Sequence, residues 1–223
     1  MPRRTGLLGG TFDPLHYGHL RPAREAMGLL HLERVVLIPS GVHPFKGEGK
    51  RFSAEDRLRQ IEAVLTGWPG FSVWDHEVRK VGYSYTIETL TARRAAFPDE
   101  EHVLLMGADL LRELHLWRAW ERIIDLAHIA IMPRPGFAIR EEDAPALAVL
   151  NEKRVGGPEN LVFARSGRFG FCVLPLGELQ EISSSELRTG AKNPQEWCPS
   201  GIAEQMRSNQ IGEKQSGRRS PGQ

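Results

Sequence analysis

No part of this chain constrains its fold more than the stretch Gly9-Gly10-Thr11-Phe12-Asp13-Pro14-Leu15-His16-Tyr17-Gly18-His19-Leu20. A short apolar run ending in Leu7-Leu8 precedes it and reads as a buried strand. Beyond it, Leu20, Ala23, Met27 and Leu30 recur at helical spacing. The stretch is therefore a strand-to-helix corner, where the first backbone amides of the helix lack intrahelical acceptors and favour an anion. Gly9 and Gly10 let the main chain come close to a bulky ligand. His16 and His19, three apart, aim two nitrogen donors across the same mouth. Among common ligands a nucleoside triphosphate suits this combination best. The corner is not a P-loop, because the Lys-Ser/Thr ending is missing, and it does not have the G-x-G-x-x-G spacing of a dinucleotide fold.

The rest of the chain repeats the alternation that the corner begins. Strands are expected at Thr5–Leu8, Val35–Ile38, Phe71–Trp74, His102–Met106, His128–Met132 and Phe171–Leu174. The second is a continuous apolar run, as in a strand buried on both faces of a parallel sheet. Between the strands, Ser53 with Asp56 caps a helix carrying Leu58, Ile61 and Val64, and Tyr85 to Ala96 has helical spacing. Asp75 to Ser84 reads as a loop, Leu110 to Leu126 as one or two short helices, and Glu141 to Lys153 as a further helix. Ser183-Ser184-Ser185 caps a helix starting near Glu186, and Pro199 to Asn209 is the last helix. The expectation is one α/β domain over residues 1–211 with a parallel sheet, followed by a disordered polar tail at 212–223.

With 223 residues the chain is long enough for a full doubly wound core. Its net charge of +1 gives no global field to recruit nucleic acid or membrane, so any anion must be held by a local cluster. The two cysteines, Cys172 and Cys198, have no metal-ligand spacing and make no disulfide framework. No residues are expected to bind a resident metal. No run is long and apolar enough to span a membrane or to serve as a signal-peptide core, so a reduced, cytoplasmic enzyme is expected.

In open α/β sheets ligands bind beyond the carboxyl ends of the strands. The corner follows the first expected strand, Gly107-Ala108-Asp109 the fourth and Arg134 the fifth, so three loops point at one crevice. Arg134 is a substrate-binding candidate on position alone. His16 and His19 are the candidate donors to phosphate, and Thr11 adds a hydroxyl or amide, while Asp13 before Pro14 orients the loop. A second helix start, Ser183-Ser184-Ser185 with Arg188 one turn in, offers hydroxyls and a guanidinium for the same phosphates. Taken alone, a serine run is as often only a cap.

Over nearly every residue the corner resembles the H-x-G-H element of the nucleotidyltransferase superfamily, in the G-G-T-F-D-P-x-H-x-G-H form of its nicotinate-nucleotide adenylyltransferase branch. Ile182-Ser183-Ser184-Ser185-Glu186-Leu187-Arg188 is similar to its second element, I-S-S-T-x-I-R, with Ser185 for threonine and Leu187 for isoleucine. Asp75-x-Glu77 and Ser84-Tyr85-Thr86-Ile87-Glu88-Thr89-Leu90 resemble the segment that meets the pyridine nucleotide, and Gly107-x-Asp109 the family's G-x-D. The resemblance implies a Rossmann-like, doubly wound nucleotidyltransferase fold with a short C-terminal helical segment. It implies an enzyme with ATP as co-substrate, Mg²⁺, and the small-molecule acceptor nicotinate mononucleotide, giving deamido-NAD and pyrophosphate. It implies roles for His16, His19, Lys46 and Arg188 in catalysis. ATP would lie on Gly9, Gly10, Thr11, Phe12, Gly107, Asp109, Ser183, Ser184 and Ser185. The acceptor would lie on Ser84, Tyr85 and Thr86, with Trp117 stacking on the nicotinate and Trp120 left to the core. One departure is that the family's P-P-H-K loop reads His43-Pro44-Phe45-Lys46 here, so the histidine position holds Phe45. Two alternatives stay open on sequence: nicotinamide mononucleotide as acceptor, and a non-catalytic nucleotide-binding regulator on the same fold.

Overall fold

The computed structural model describes residues 3–42, 52–137, 139–140, 145–155, 157–158, 160, 169–177 and 181–216, with side chains as far as residue 208. Among these, six strands form one sheet in the order β3-β2-β1-β4-β5-β6. They are β1 (Arg3–Gly10), β2 (Arg34–Pro39), β3 (Phe71–Val73), β4 (Glu100–Gly107), β5 (His128–Met132) and β6 (Phe171–Val173). Every pairing is parallel, with Leu7 opposite both Val36 and Leu104. The winding reverses between β1 and β4, which places a crevice at their carboxyl ends. The α/β, doubly wound fold expected from sequence is the one observed.

The sheet is apolar on both faces because helices cover both. On one side Leu8, Val35, Leu37, Val103, Leu105 and Ala130 meet α1 (Tyr17–Leu29), α2 (Ala54–Leu65) and the last helix α8 (Ser200–Ser216). On the other, Leu7, Val36, Ile38, Leu104, Met106, Ile129 and Ile131 meet α4 (Thr86–Ala96), a series of 3₁₀ turns and α5 (Ala146–Asn151). Successive residues of each strand thus enter different cores, as a pleat of period two requires.

The structure revises several local expectations. The loop at Asp75–Ser84 contains a one-turn helix, α3 (His76–Arg79). Leu110–Leu126 breaks into 3₁₀ turns at Ala108–Arg112, Leu114–Leu116 and Trp120–Asp125, and Ala119 at φ 50° interrupts any continuous helix there. α2 is capped by Ser53, which accepts from the Asp56 amide, but its buried residues are Arg57, Gln60 and Ile61, with Leu58 and Val64 only half-buried. After α6 (Ser184–Thr189) an unforeseen turn, α7 (Pro194–Trp197), starts at an Asn193 cap with proline in first position. α8 continues to Ser216, past the expected end of the domain at 211, so part of the expected tail is helical. Of the helix expected over 141–153, residues 141–144 lie outside the described residues, as do His43, Phe45 and Lys46.

Candidate active site

Two cavities open at the carboxyl ends of β1 and β4. The larger, about 550 Å³, is lined by Gly9 to Asp13, His16, Gly18, His19, Gly107, Asp109, Arg134, Ser183 to Ser185 and Arg188. The smaller, about 290 Å³, is lined by Ser40, Glu77, Ser84, Tyr85, Thr86, Thr89, Trp117 and Arg118, among others. Both include Gly9, Gly10, Thr11 and Leu110, so they meet at the end of β1. Every described site residue expected from sequence lines one cavity or the other.

The corner is built by close contact. A Cβ on Gly10 would stand 2.9 Å from the Phe12 ring, and one on Gly18 would stand 2.5 Å from Ile182 and 3.0 Å from the His16 imidazole. Only glycine between the histidines lets the start of α1 approach the serine-rich segment. Gly9 has open space where its Cβ would be. At the G-x-D element a Cβ on Gly107 would lie 2.4 Å from Asp109 Oδ1, so a larger residue there would displace that carboxylate. Asp109 in turn accepts from Arg134 Nη1 at 3.0 Å, which joins two of the three expected loops.

The histidines are stacked, with ring centroids 3.8 Å apart. His16 is fully buried, and among the described residues neither ring nitrogen has a hydrogen-bond partner. Burial, assisted by the Arg134 charge, lowers its pKa to about 3, so the ring is neutral and keeps one N–H to offer. The His16 amide donates to His19 Nδ1 at 3.3 Å, which leaves the His19 proton on Nε2.

The serine-rich element is more committed than its sequence suggests. Ser183 caps α6: its hydroxyl accepts from the Glu186 amide at 3.2 Å and donates to Glu186 Oε2 at 2.8 Å. Ser184 donates to the Pro14 carbonyl at 3.0 Å, and Ser185 accepts from Arg188 Nη2 at 2.9 Å. Arg188 Nη1 donates to the Asp13 carbonyl at 2.6 Å. Local capping and the corner's Pro14 carbonyl thus engage the hydroxyl protons of Ser183 and Ser184, whereas Ser185 acts as an acceptor in its bond with Arg188. Asp13 does orient the loop, its buried carboxylate accepting from the Phe52 amide at 3.1 Å.

In the smaller cavity Trp117 and the start of α4 stand together as expected. Glu77, which the resemblance includes in the acceptor segment but not among the site residues, lies among them and accepts from Thr89 Oγ1 at 2.6 Å. Burial raises its pKa. Arg57 was missed as well. It is fully buried beneath the corner, and its place beside Gln60 and Ile61 on one stripe of α2 was the available signal.

A cytidylyltransferase-like family model matches residues 7–190. A protein of Shewanella frigidimarina named "Probable nicotinate-nucleotide adenylyltransferase" is 34% identical over 186 residues, covering 83% of this chain and 86% of its own. A protein of the same name from Shewanella pealeana is 32% identical over 211 residues, covering 93% and 95%. Among solved structures, Plasmodium falciparum nicotinic acid mononucleotide adenylyltransferase complexed with NaAD superposes at a TM-score of 0.68. It has 16% identity and covers 91% of this chain and 93% of that one. At that identity the likeness speaks for the fold.

Proposed function

The chain belongs to the cytidylyltransferase-like family and, within it, to the nicotinate-nucleotide adenylyltransferases, and from that premise we propose how its two cavities divide one reaction. It transfers the adenylyl group of ATP to nicotinate mononucleotide, forming deamido-NAD and releasing pyrophosphate. The observation that carries the assignment of residues is the meeting of the cavities at Gly9, Gly10 and Thr11. ATP takes the larger cavity, with its phosphates toward His16, His19 and Arg188. The acceptor takes the smaller one, with its ring on Trp117 and its carboxylate toward the amides of Tyr85 and Thr86. The acceptor's phosphate then meets the α-phosphorus of ATP where the glycines leave room.

In the reaction a phosphate oxygen of the acceptor bonds to the α-phosphorus, and the bond to the bridging oxygen of the β-phosphate breaks, its electron pair leaving with pyrophosphate. The nucleophile is already anionic, so no general base is needed. Catalysis reduces to bringing two anions into line and neutralising charge on the leaving group. A donor set of imidazoles, guanidinium and main-chain amides suits that task. Asp109, oriented by Arg134, is suited to ribose hydroxyls. No group of three or more His, Cys, Asp or Glu gathers to hold a metal among the described residues. Mg²⁺ fits as the counter-ion of ATP, arriving with its phosphates. Lys46, by resemblance, reaches a phosphate from its loop. We place the reaction in the cytoplasm; no helix among the described residues is long and apolar enough to cross a membrane.

The test is pyrophosphate release from ATP with nicotinate mononucleotide and nicotinamide mononucleotide offered separately. Turnover is expected with the acid and, by several orders of magnitude in kcat/KM, less with the amide, whose NH₂ would face donors. Equal turnover of the two would overturn the acceptor assignment, and none with either would overturn the transferase.

A further inference from the structure

α2 puts an arginine where an amphipathic helix normally puts an aliphatic side chain. Arg57 is fully buried, and its guanidinium runs beneath the corner. Nη1 donates to the Thr11 carbonyl at 2.5 Å and Nη2 to the Ser40 carbonyl at 2.7 Å. Thr11 and Ser40 follow the carboxyl ends of β1 and β2, and both line the smaller cavity. A buried guanidinium is costly unless its donors are satisfied. Here main-chain oxygens of the two site loops satisfy Nη1 and Nη2, while Nε has no hydrogen-bond partner among the described residues. The Asp13 and Glu55 charges favour the cation and oppose the effect of burial on it.

The consequence is geometric. The peptide joining Thr11 to Phe12 is trans and planar, so a carbonyl drawn toward Arg57 turns the Phe12 N–H the opposite way. Phe12 sits at φ 50°, a left-handed conformation that a non-glycine residue keeps only with support from its surroundings. The next carbonyls are held in the same manner, Asp13 by Arg188 and Pro14 by Ser184. Thr11 and Phe12 both line the larger cavity.

We infer that Arg57 is a positioning residue for adenylyl transfer: by clamping the Thr11 and Ser40 carbonyls it aims the Phe12 amide at the phosphates in the larger cavity. The inference rests on the proposed reaction. A lysine keeps the charge but has no planar fork able to span two carbonyls.

Arg57→Lys separates positioning from simple structural support. Calorimetric titration with nicotinate mononucleotide counts intact sites, and pyrophosphate release then gives kcat for each. A fall in kcat per intact site of about 10- to 100-fold is expected, with acceptor Kd changed less than about fivefold. A merely structural clamp would lower Tm and the number of intact sites and leave kcat per site within about threefold of wild type, and that result overturns the inference. If Arg57→Lys does not fold, the deciding variant is Phe12 replaced by phenyllactate through nonsense suppression. It exchanges the amide N–H for an ester oxygen and leaves Arg57 in place. A comparable fall per site supports the inference, and an unchanged rate overturns it. Wild-type protein that binds the acceptor but releases no pyrophosphate would instead fail the reaction itself.

Discussion

His16 and His19 are three residues apart and chemically unequal. His16 is sealed in the corner, neutral, and held against its neighbour's ring. In the proposed reaction it would offer phosphate one N–H in a dry site, where a preorganised donor is worth most. His19 is half-buried, packs edge-on to Phe12 with centroids 5.1 Å apart, and has its tautomer set by the His16 amide. If its Nε2–H meets charge that develops only as pyrophosphate departs, His19→Ala lowers kcat by roughly two to three orders of magnitude. The KM for ATP moves far less. Initial-rate measurements over a range of ATP concentrations check this, and turnover within a few-fold of wild type would remove His19 from the mechanism.

At the scale of elements, α6 does two tasks with six residues. Its start is a reciprocal capping box between Ser183 and Glu186. Ser184 and Arg188 reach back to the corner, so it braces α1's entry while lining the larger cavity. Ser183→Ala is therefore expected to cost about 1 kcal/mol of stability through the lost cap. Thermal unfolding reads that loss, while kcat and the KM for ATP stay within a few-fold of wild type. A large rise in ATP KM with unchanged Tm would mean that the hydroxyl serves phosphate after all. α2 shows the same economy of parts, its Ser53 cap holding in place the helix that carries Arg57.

For the whole molecule, helices on both faces of the sheet leave the ends of the strands as the place for polar chemistry, and buried histidines follow. Burial lowers His16 to about pKa 3 and His102, with help from the Arg93 charge, to about 4, against an ordinary 6.5. Between these values the unfolded chain binds protons that the folded chain refuses, so stability falls as pH falls. The contribution is complete above about pH 6.5 and is lost progressively toward pH 4. Tm should therefore decline as pH is lowered from 6.5 to 5, before most carboxylates titrate. His102→Gln, away from the site, should flatten that slope. An unchanged slope would assign the acid sensitivity to other groups.

The strands, the corner, the histidine pair and the capped helix starts were legible in the chain because their signals are local. Apolar runs, glycine pairs and Ser-x-x-Asp or Ser-x-x-Glu caps act within a few residues and mean much the same wherever the segment lies. The convergence of the corner, the G-x-D element and Arg134 was legible too, since a parallel sheet brings the carboxyl ends of its strands together. Other properties belonged to the tertiary structure alone. Sequence shows that Ser184 has a proton to give, but not that its acceptor is the Pro14 carbonyl 170 residues away. It shows a histidine at 16, but not the burial that keeps it neutral, nor that Arg57 turns inward to hold two loops. Residue type supplies the donors and charges. Which acceptor each one finds, and how much water each one keeps, is settled only when distant segments pack.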